Sequence, residues 1–402
     1  MSDTLHSLAQ SLFKIGVARA DPYGAVQSAL ADHPEAPQTC VAVGKAAGRM
    51  MQAALDIYGA VDQALVVTNY ENAKEIDGVT VYVAGHPVPD ENGAKAGQAV
   101  VTALHAATGP VLALISGGGS ALLPAPKPPL TLSDKARVSD LLLASGADIV
   151  QMNLVRQQLS DLKGGGFLVH AAPHPVTALI LSDVVGDDLR AIASGPTVGP
   201  LGDAAGARAL CESLGIWDDL GAAVQKMLAD DQPNPVLPPV TNTLIGSNGQ
   251  SVAAMAASAP QAIVYPKALE GDVAQAAKDV VAFCQSPGVY LFGGETTVQI
   301  KGHGKGGRNQ ELALRVALMA QDQGWTDWCY LQGGTDGRDG PTDAAGGLVD
   351  DQTIAKARSR QVDIEAALDN NDSYHVLQTA EALLDIGATG TNVADLGVLI
   401  RR

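Results

Sequence analysis

The chain has 402 residues and a formal net charge of −17, and 46% of its residues are hydrophobic although only 4% are aromatic. This length predicts two or three domains, and interiors rich in small apolar side chains are typical of helices packed on a sheet. The sequence has no Lys/Arg-rich run of the kind that nucleic acid or an anionic membrane requires. We therefore expect a small-molecule partner and leave a homodimer open.

The thiols and the N-terminal segment indicate the cellular setting. The cysteines are widely spaced and form no C-x-x-C pair, which favours buried free thiols over a metal site; they are Cys40, Cys211, Cys284 and Cys329. The N-terminal segment lacks a basic region followed by an apolar one, so we expect no signal peptide. No apolar run reaches the roughly 20 residues that span a bilayer. These features predict a soluble, cytoplasmic protein.

Short β-branched runs alternate with helical patterns along almost the whole chain, beginning with CVAVG at residue 40 and AAGRMMQAALDIYG at residue 46. This alternation predicts an α/β protein built from β-α-β units with mainly parallel sheets. Residues 232–240 contain four prolines, which can continue neither a helix nor a central strand. We place a boundary there, which gives domains 1–235 and 236–402. One long loop within a single domain is the alternative, and a cleft between two domains is the natural ligand site.

Two strand ends in the first domain predict an anion site. Lys45 follows the first strand at the apparent first turn of a helix, where the helix dipole opposes a cation unless an anion lies beside it. The strand VLALIS leads into a turn at the carboxyl end of a strand, which faces the ligand crevice in such sheets. Its bare amides and hydroxyl groups suit phosphate; the turn comprises Ser116, Gly117, Gly118, Gly119 and Ser120. A solvated lysine and a simple tight turn are the alternatives.

Carboxylates follow two other strands. VTALILSD leads to Asp183 and Asp187, and CYLQGG leads to Asp336. Acids on glycine-rich strand ends suit Mg²⁺, and Asp183 and Asp336 are the preferred ligands because they lie closest to the strands. One acid could instead accept the proton of an attacking hydroxyl group. Each could also be a turn residue that caps its own loop.

Two cations are candidates for binding a substrate carboxylate. Arg156 and Lys163 fall on a predicted helix and its glycine-rich exit, seven residues apart and thus on similar faces. Arg156 can bind a carboxylate through two parallel hydrogen bonds. Simple solvation of both side chains is the alternative.

Residues 302–311, GHGKGGRNQE, join a predicted strand to a predicted helix. Their glycines, Lys305 and Arg308 predict an anion site of backbone amides and cations. Gly302, Gly304 and Gly307 also spell G-x-G-x-x-G, but no acid ends the next strand some twenty residues later, as a dinucleotide site requires. Terminal phosphates are therefore favoured over a nicotinamide dinucleotide. No P-loop motif is present.

These blocks together resemble the class II glycerate kinases, the glycerate 2-kinase family with a C-terminal MOFRL domain. The resemblance covers nearly the whole chain, through VAVGKAAGRM, GHPVPDENG, LISGGGSALLPAP, NLVRQQLSDLKGGG, ILSDVVGDDLRAIASGPT, GGETTVQIKGHGKGGRNQE, GGTDGRDGPTDAAGG and NDSYH. It implies a Rossmann-like N-terminal domain, a C-terminal α/β domain, an active site in the interdomain cleft, and transfer of the γ-phosphoryl group of ATP to the 2-hydroxyl group of D-glycerate with Mg²⁺.

The resemblance also implies that Lys45 and Arg308 act at the active site. With Asp183 they are the predicted catalytic residues, and Glu295, Lys305 and Asn309 join the glycine turn as predicted nucleotide ligands. The chain departs from the family pattern Thr-Gly-Pro-Thr-Gly-Thr-Asn at residues 385–392, DIGATGTN, but keeps its Gly-Thr-Asn core. Some members carry the label hydroxypyruvate reductase, so an NAD(P)H-dependent hydroxypyruvate reductase is the alternative function.

Overall fold

A computed structural model describes residues 2–31, 33, 35–230 and 236–402. The chain divides into two compact units, Pro22–Ile245 and the combination of Met1–Asp21 with Gly246–Arg402. The predicted domain boundary at residue 235 lies outside the described residues. None of the helices in these ranges is long and apolar enough to cross a membrane. The expected cleft between two domains stays a prediction.

The unit Pro22–Ile245 is built on a six-stranded sheet with the order β3-β2-β1-β4-β5-β6, which is the strand order of Rossmann folds. The neighbouring pairs among β1 to β5 are parallel, as predicted. Both β1 and β4 consist of five buried residues, as expected of central strands covered on both faces. The strands are β1 Thr39–Val43, β2 Gln63–Asn69, β3 Thr80–Ala84, β4 Val111–Ile115, β5 Val176–Leu181 and β6 Val240–Gly246.

The helices of this unit begin where side chains can satisfy free backbone N–H groups. Asp90 caps α4, and capping boxes begin α6 at Thr131 and α7 at Asp148. The helices are α2 Pro22–Leu30, α3 Ala47–Tyr58, α4 Glu91–His105, α5 Gly119–Leu122, α6 Leu132–Ala144, α7 Ile149–Gln158, α8 Gly166–Ala171, α9 Ala204–Ser213 and α10 Ala222–Ala229. Short 3₁₀ turns occur at Tyr70–Asn72, Ile192–Ser194 and Trp217–Asp219.

The second unit contains a mixed sheet with the order β12-β11-β10-β13-β9-β7, and β8 also pairs with β9. The expectation of mainly parallel pairing is wrong for this sheet, because the last strand, β13, lies antiparallel between β9 and β10. The strands are β7 Ile263–Val264, β8 Leu269–Asp272, β9 Gly288–Thr297, β10 Trp328–Gly334, β11 Gly346–Asp350, β12 Leu383–Leu384 and β13 Asp395–Arg401.

The helices of the second unit include the first helix of the chain. They are α1 Ser2–Arg19, α11 Asn248–Ser258, α12 Val273–Phe283, α13 Arg308–Asp322, α14 Thr353–Ser359, α15 Ile364–Asp369 and α16 Ser373–Thr379. Leu12 and Phe13 of α1 pack in one apolar core with Leu331 and Val398 of the sheet. The predicted first domain, residues 1–235, includes this helix, because the order of elements along the sequence does not show which sheet a helix covers.

Candidate active site

The first candidate site lies where the strand order of the parallel sheet reverses, between β1 and β4. The backbones after these strands are joined, since Lys45 N donates to Gly117 O at 2.9 Å and Ala46 N donates to Ser116 Oγ at 3.2 Å. Gly44 has a φ of 122°, and a Cβ there would overlap Ser116 Oγ. Ligands of doubly wound sheets bind at this switch point. The predicted Lys45 and glycine-turn residues therefore lie together.

Lys45 lies just before helix α3, although the sequence predicted it in the first turn of that helix. Helix α3 begins at Ala47, and Ala46 is its N-cap residue with no side chain that accepts a capping hydrogen bond. The half-buried Lys45 is thus just before the helix rather than in its first turn. A cation this close to a helix N-terminus is still opposed by the dipole. An anion beside Lys45 would therefore still offset the repulsion between the lysine and the helix dipole.

Asp183 lies against the glycine turn. A Cβ at Gly117 would overlap Asp183 Oδ2, so only glycine leaves room for this carboxylate. Burial raises the pKa of Asp183, while hydrogen bonds from its own backbone and from Gly118 and the charge of Lys45 oppose that rise. A carboxylate, a lysine and a turn without side chains are therefore close neighbours at one sheet edge. This is an arrangement that can bind phosphate and accept or hold a proton.

His86 belongs to the same group, and the sequence analysis did not select it. A Cβ on Gly118 would lie 3.1 Å from His86 Cδ2 and 3.3 Å from Lys45 Cγ. Burial and the charge of Lys45 lower the pKa of His86. His86 comes two residues after β3, so the rule that selected the other strand ends could have found it.

The hydroxyl groups of the two turn serines already have partners. Ser116 Oγ donates to Val43 O at 3.3 Å, and Ser120 Oγ lies 2.8 Å from Ser194 Oγ. Ser194 Oγ in turn donates to Asn153 Oδ1 at 3.1 Å. These contacts hold the shape of the turn, so phosphate binding by the serine hydroxyl groups stays a prediction.

The second candidate site surrounds Arg308, the first residue of α13. Its guanidinium group makes two hydrogen bonds to Asp395, and its NH1 lies 2.9 Å from Glu295 Oε1. Burial works against the charge of Arg308, but the hydrogen bonds and the charges of Asp395 and Glu295 outweigh it and raise its pKa. Arg308 is therefore a permanently charged group that is fixed on one edge by a buried acid.

A buried polar network supports Arg308. Asn309 Nδ2 donates to Asp395 Oδ1 at 3.0 Å, and Gln332 Nε2 donates to Asn309 Oδ1 at 2.8 Å. Asp339 accepts the backbone N–H groups of Asn309 and Gln310 and so satisfies the start of α13. Burial raises the pKa of Asp339 to about 7 against these two hydrogen bonds. In this structure Asn309 is a member of the network, and its predicted role as a nucleotide ligand stays a prediction.

Several N–H groups of the glycine-rich loop before α13 already donate hydrogen bonds to another segment of the chain. The N–H groups of Lys301 and Gly302 donate to Asn371 Oδ1, and that of Lys305 donates to Asp372 Oδ1. A Cβ at Gly302 would overlap Asn370. Gly302 and Gly304 therefore allow close packing against residues 370–373, and the anion site that the sequence predicts at residues 302–311 stays a prediction.

The side chain of Lys305 also contacts other residues of the chain. Its Nζ lies 4.0 Å from the ring centre of Tyr374 and 3.9 Å from Asp343 Oδ1. Both contacts are exposed and weak by nature. Phosphate binding by Lys305 stays a prediction.

Residues 8–229 match the family model described as a domain of unknown function (DUF4147), and residues 288–395 match the model of the MOFRL family. A Thermotoga maritima protein named D-glycerate 2-kinase is 38% identical over 413 residues, which cover 98% of this chain and 98% of that protein. The chain belongs to the class II glycerate kinase family. A solved structure of glycerate kinase from Thermotoga maritima has a TM-score of 0.91 at 36% identity, with 100% of both chains covered.

One relative in this family carries the alternative name. An Agrobacterium vitis protein named putative hydroxypyruvate reductase is 38% identical, with 97% of this chain and 93% of that protein covered. The resemblance and the two-domain α/β fold expected for a class II glycerate kinase are thus confirmed.

The predicted metal ligands are Asp183, Asp187 and Asp336. Within the described ranges, no group of three or more His, Cys, Asp or Glu side chains could hold a metal ion. Asp336 Oδ1 accepts the N–H of Arg338 at 2.9 Å, as a turn residue does. Asp187 is half-buried with a φ of 57°. Magnesium binding by these acids stays a prediction.

The argument that placed Arg156 and Lys163 on one helix face is wrong, because α7 ends at Gln158. They are still near enough for the charge of Arg156 to lower the pKa of Lys163. Arg156 Nε donates to Ser139 Oγ at 3.3 Å, and Lys163 Nζ donates to Ser120 O at 2.9 Å. Their role as substrate ligands in this glycerate kinase family member stays a prediction.

Proposed function

We propose that this protein is a glycerate 2-kinase, which transfers the γ-phosphoryl group of ATP to the 2-hydroxyl group of D-glycerate. The observation that carries this proposal is the grouping of Lys45, Gly117 and Asp183 at the point where the strand order of the sheet reverses. The name of the Thermotoga maritima relative supports the same reaction. Phosphoryl transfer needs positioning and neutralisation of charge more than covalent help from the protein.

Lys45 and the glycine turn are the proposed phosphate site. The ammonium group supplies positive charge beside the N-terminus of α3, and the turn presents backbone without a Cβ at Gly117 and Gly118. A phosphate there removes the unfavourable contact between the lysine and the helix dipole. His86 packs on the same turn and helps to shape this site.

Asp183 is the proposed acceptor of the 2-hydroxyl proton. Burial raises its pKa, which makes the carboxylate a stronger base. Asp183 also fits Mg²⁺, since kinases hold this ion through one or two carboxylates together with phosphates and water. Asp187, four residues later, would be the second carboxylate. Bound Mg²⁺ would neutralise charge on the phosphates.

Arg308 is the second proposed cation. Asp395 holds its Nε and NH2 in place, whereas Glu295 on the NH1 side is 43% exposed. The NH1 edge is therefore the one that an incoming phosphate oxygen can reach by displacing an exposed acid. An arginine held in this way contributes to the transition state without reorganising.

The test is a reaction with D-glycerate, ATP and Mg²⁺, followed by ³¹P and ¹H NMR of the product. We expect ADP and 2-phosphoglycerate in equal amounts, and neither without glycerate. Formation of 3-phosphoglycerate would contradict the site of transfer. The matched reaction contains hydroxypyruvate and NADH, and NADH oxidation without ADP formation in the first reaction would reverse the proposal.

The reductase alternative rests on the name of the Agrobacterium vitis relative. Its sequence support was the G-x-G-x-x-G spacing of residues 302–307. In a dinucleotide fold these glycines allow close approach of the pyrophosphate. Here Gly302 and Gly304 are packed against Asn370 and Asp372, and their N–H groups already donate within the chain. This packing favours the kinase.

A further inference from the structure

Three cations of the unit Pro22–Ile245 are close together without an acidic partner. They are Lys135, Arg156 and Lys163, and the exposed fractions of the two lysines are only 8% and 5%. Within the described part of the chain none of the three forms an ion pair. Buried charged groups in proteins are normally paired. This cluster therefore carries more positive than negative charge in a chain that is acidic as a whole; the charge of Asp161 offsets only part of the effect of burial on the pKa of Lys135.

The hydrogen bonds and pKa values of the two buried lysines also indicate that their positive charges are poorly compensated. Among the described residues, Lys163 Nζ donates only to Ser120 O, and Lys135 Nζ donates only to Pro124 O. Burial and then the charge of Arg156 lower the pKa of Lys163 to about 7, and burial lowers that of Lys135 well below its ordinary value. The nearby acid is Asp161, and burial raises its pKa. An additional anion would favour the charged forms of the two lysines, and it would raise the pKa of Asp161 further.

A cavity of about 480 Å³ opens beside the cluster, within the size range of small-molecule sites. Lys127, Lys163 and Lys226 line it, and so do two acids, Asp161 and Asp230, so that the lysines outnumber the carboxylates by one. Other parts of the wall are apolar, including Pro128 and Met227. None of the residues proposed for catalysis lines this cavity. Its chemistry suits a ligand with an apolar body and an anionic end.

We propose that this cavity is a second ligand site, which binds a small organic dianion of the carboxylate or phosphate class through Lys163, Lys127 and Lys226. The dianion supplies the negative charge that the buried cations lack, and the apolar wall contacts its carbon atoms. Because Lys163 Nζ donates to the carbonyl group of Ser120, the last residue of the glycine turn, occupancy of the cavity is coupled to the turn. The proposal assigns Lys163 to this site instead of the role as a glycerate ligand that the sequence predicted for it.

Titration calorimetry without ATP tests binding independently of catalysis. The probes are succinate for the carboxylate class and 3-phosphoglycerate for the phosphate class. We expect at least one of them to bind, and its Kd to rise tenfold or more in the double variant Lys127→Gln/Lys226→Gln. The matched control is Lys267→Gln/Lys278→Gln, which removes two exposed lysines from the other unit and leaves Kd unchanged.

Proton uptake provides a second readout. Succinate is fully ionised at pH 8, and a dianion beside Lys163 raises the pKa of that amine from about 7. Succinate binding at pH 8 should therefore take up protons, so that the measured heat depends on the ionisation enthalpy of the buffer. His170 also lines the cavity and contributes in the same direction.

Several results would overturn the proposal. They are the absence of binding for both probes at about 10 mM, equal Kd values in the double variant and the wild type, and binding heats at pH 8, for a probe that does bind, that do not depend on the buffer. A large increase of the KM for D-glycerate in the double variant would also overturn it, because the cavity would then be the substrate site. With the proposal correct, the double variant keeps its kcat and KM in the absence of a probe.

Discussion

Arg308 and Asp395 are joined by two parallel hydrogen bonds, Nε to Oδ2 at 2.6 Å and NH2 to Oδ1 at 3.0 Å. The pair links the first residue of α13 to the first residue of β13, 87 positions later. Asp395 is only 2% exposed, so this contact is protected from water and salt. The acid thus fixes the orientation of the guanidinium group, and Asp395 is a positioning residue for Arg308.

Replacing Asp395 with Asn keeps the shape but removes the charge that orients Arg308. We expect kcat to fall about tenfold to a hundredfold with little change in KM, because a poorly oriented cation stabilises the transition state less. Steady-state kinetics and thermal unfolding measure the two effects. Asp369→Asn, an exposed acid at the end of α15, is the control and should change neither. A variant that loses only stability would show a purely structural role for Asp395.

Substitution of Lys45 tests the proposed phosphate site directly. Lys45→Ala removes a half-buried cation, so the fold should persist while kcat falls by about 10²–10³. Circular dichroism and kcat are the measurements, and Lys95→Ala on the exposed face of α4 is the control. Near-normal turnover in the Lys45 variant would refute the role.

The glycine turn should tolerate no side chain at Gly117. Gly117→Ala places a methyl group where Asp183 Oδ2 lies, so we expect the carboxylate to move and kcat to fall at least tenfold. Gly48→Ala in α3 is the matched change, since the added Cβ would contact only Ile76 at 3.8 Å. That variant should keep activity and gain up to about 1 kcal/mol of stability. Equal activity of both variants would contradict the proposed geometry.

Asn371 should stabilise the loop of residues 301–305. Its Oδ1 accepts two backbone N–H groups, and its φ of 56° suits glycine, so Asn371→Gly removes the hydrogen bonds without backbone strain. We expect a loss of about 1–3 kcal/mol in the free energy of unfolding, measured with urea. Gln361→Gly, an exposed residue with a φ of 63°, is the control and should cost less. Unchanged stability together with a higher KM for ATP would indicate that the loop amides bind phosphate.

The pH dependence of stability should report on Lys163. Its pKa is about 7 in the folded protein against an ordinary value of 10.5, so between these values the unfolded chain binds more protons. The free energy of unfolding therefore rises with pH in this window. In Lys163→Met the free energy of unfolding should rise less between pH 7 and 8.5 than in the wild type. Urea unfolding of both proteins across this range measures the difference. Parallel curves would show that Lys163 is not titrating in the folded state.

Much of the first candidate site could be predicted from the sequence. Lys45, Gly117 and Asp183 each follow a hydrophobic β-branched run, and the carboxyl ends of parallel strands share one sheet edge. His86 obeys the same rule and was missed only because its residue type did not suggest phosphate binding. Local pattern is sufficient here because each residue is placed by its own strand.

The second candidate site depended on contacts that no local pattern encodes. Asp395 reaches Arg308 because β13 enters the sheet antiparallel between β9 and β10, and the sequence does not show that pairing. Residues 302–307 have the spacing of a dinucleotide fingerprint, but the tertiary structure packs Gly302 and Gly304 against residues 370–373 and Gly307 against Asp339. The sequence by itself therefore determined the alternation of strands and helices and the family, since these follow from periodicity and motif order. Only the tertiary structure decided which polar groups are free, because a donor is available to a ligand only when no distant part of the chain already accepts its hydrogen bond.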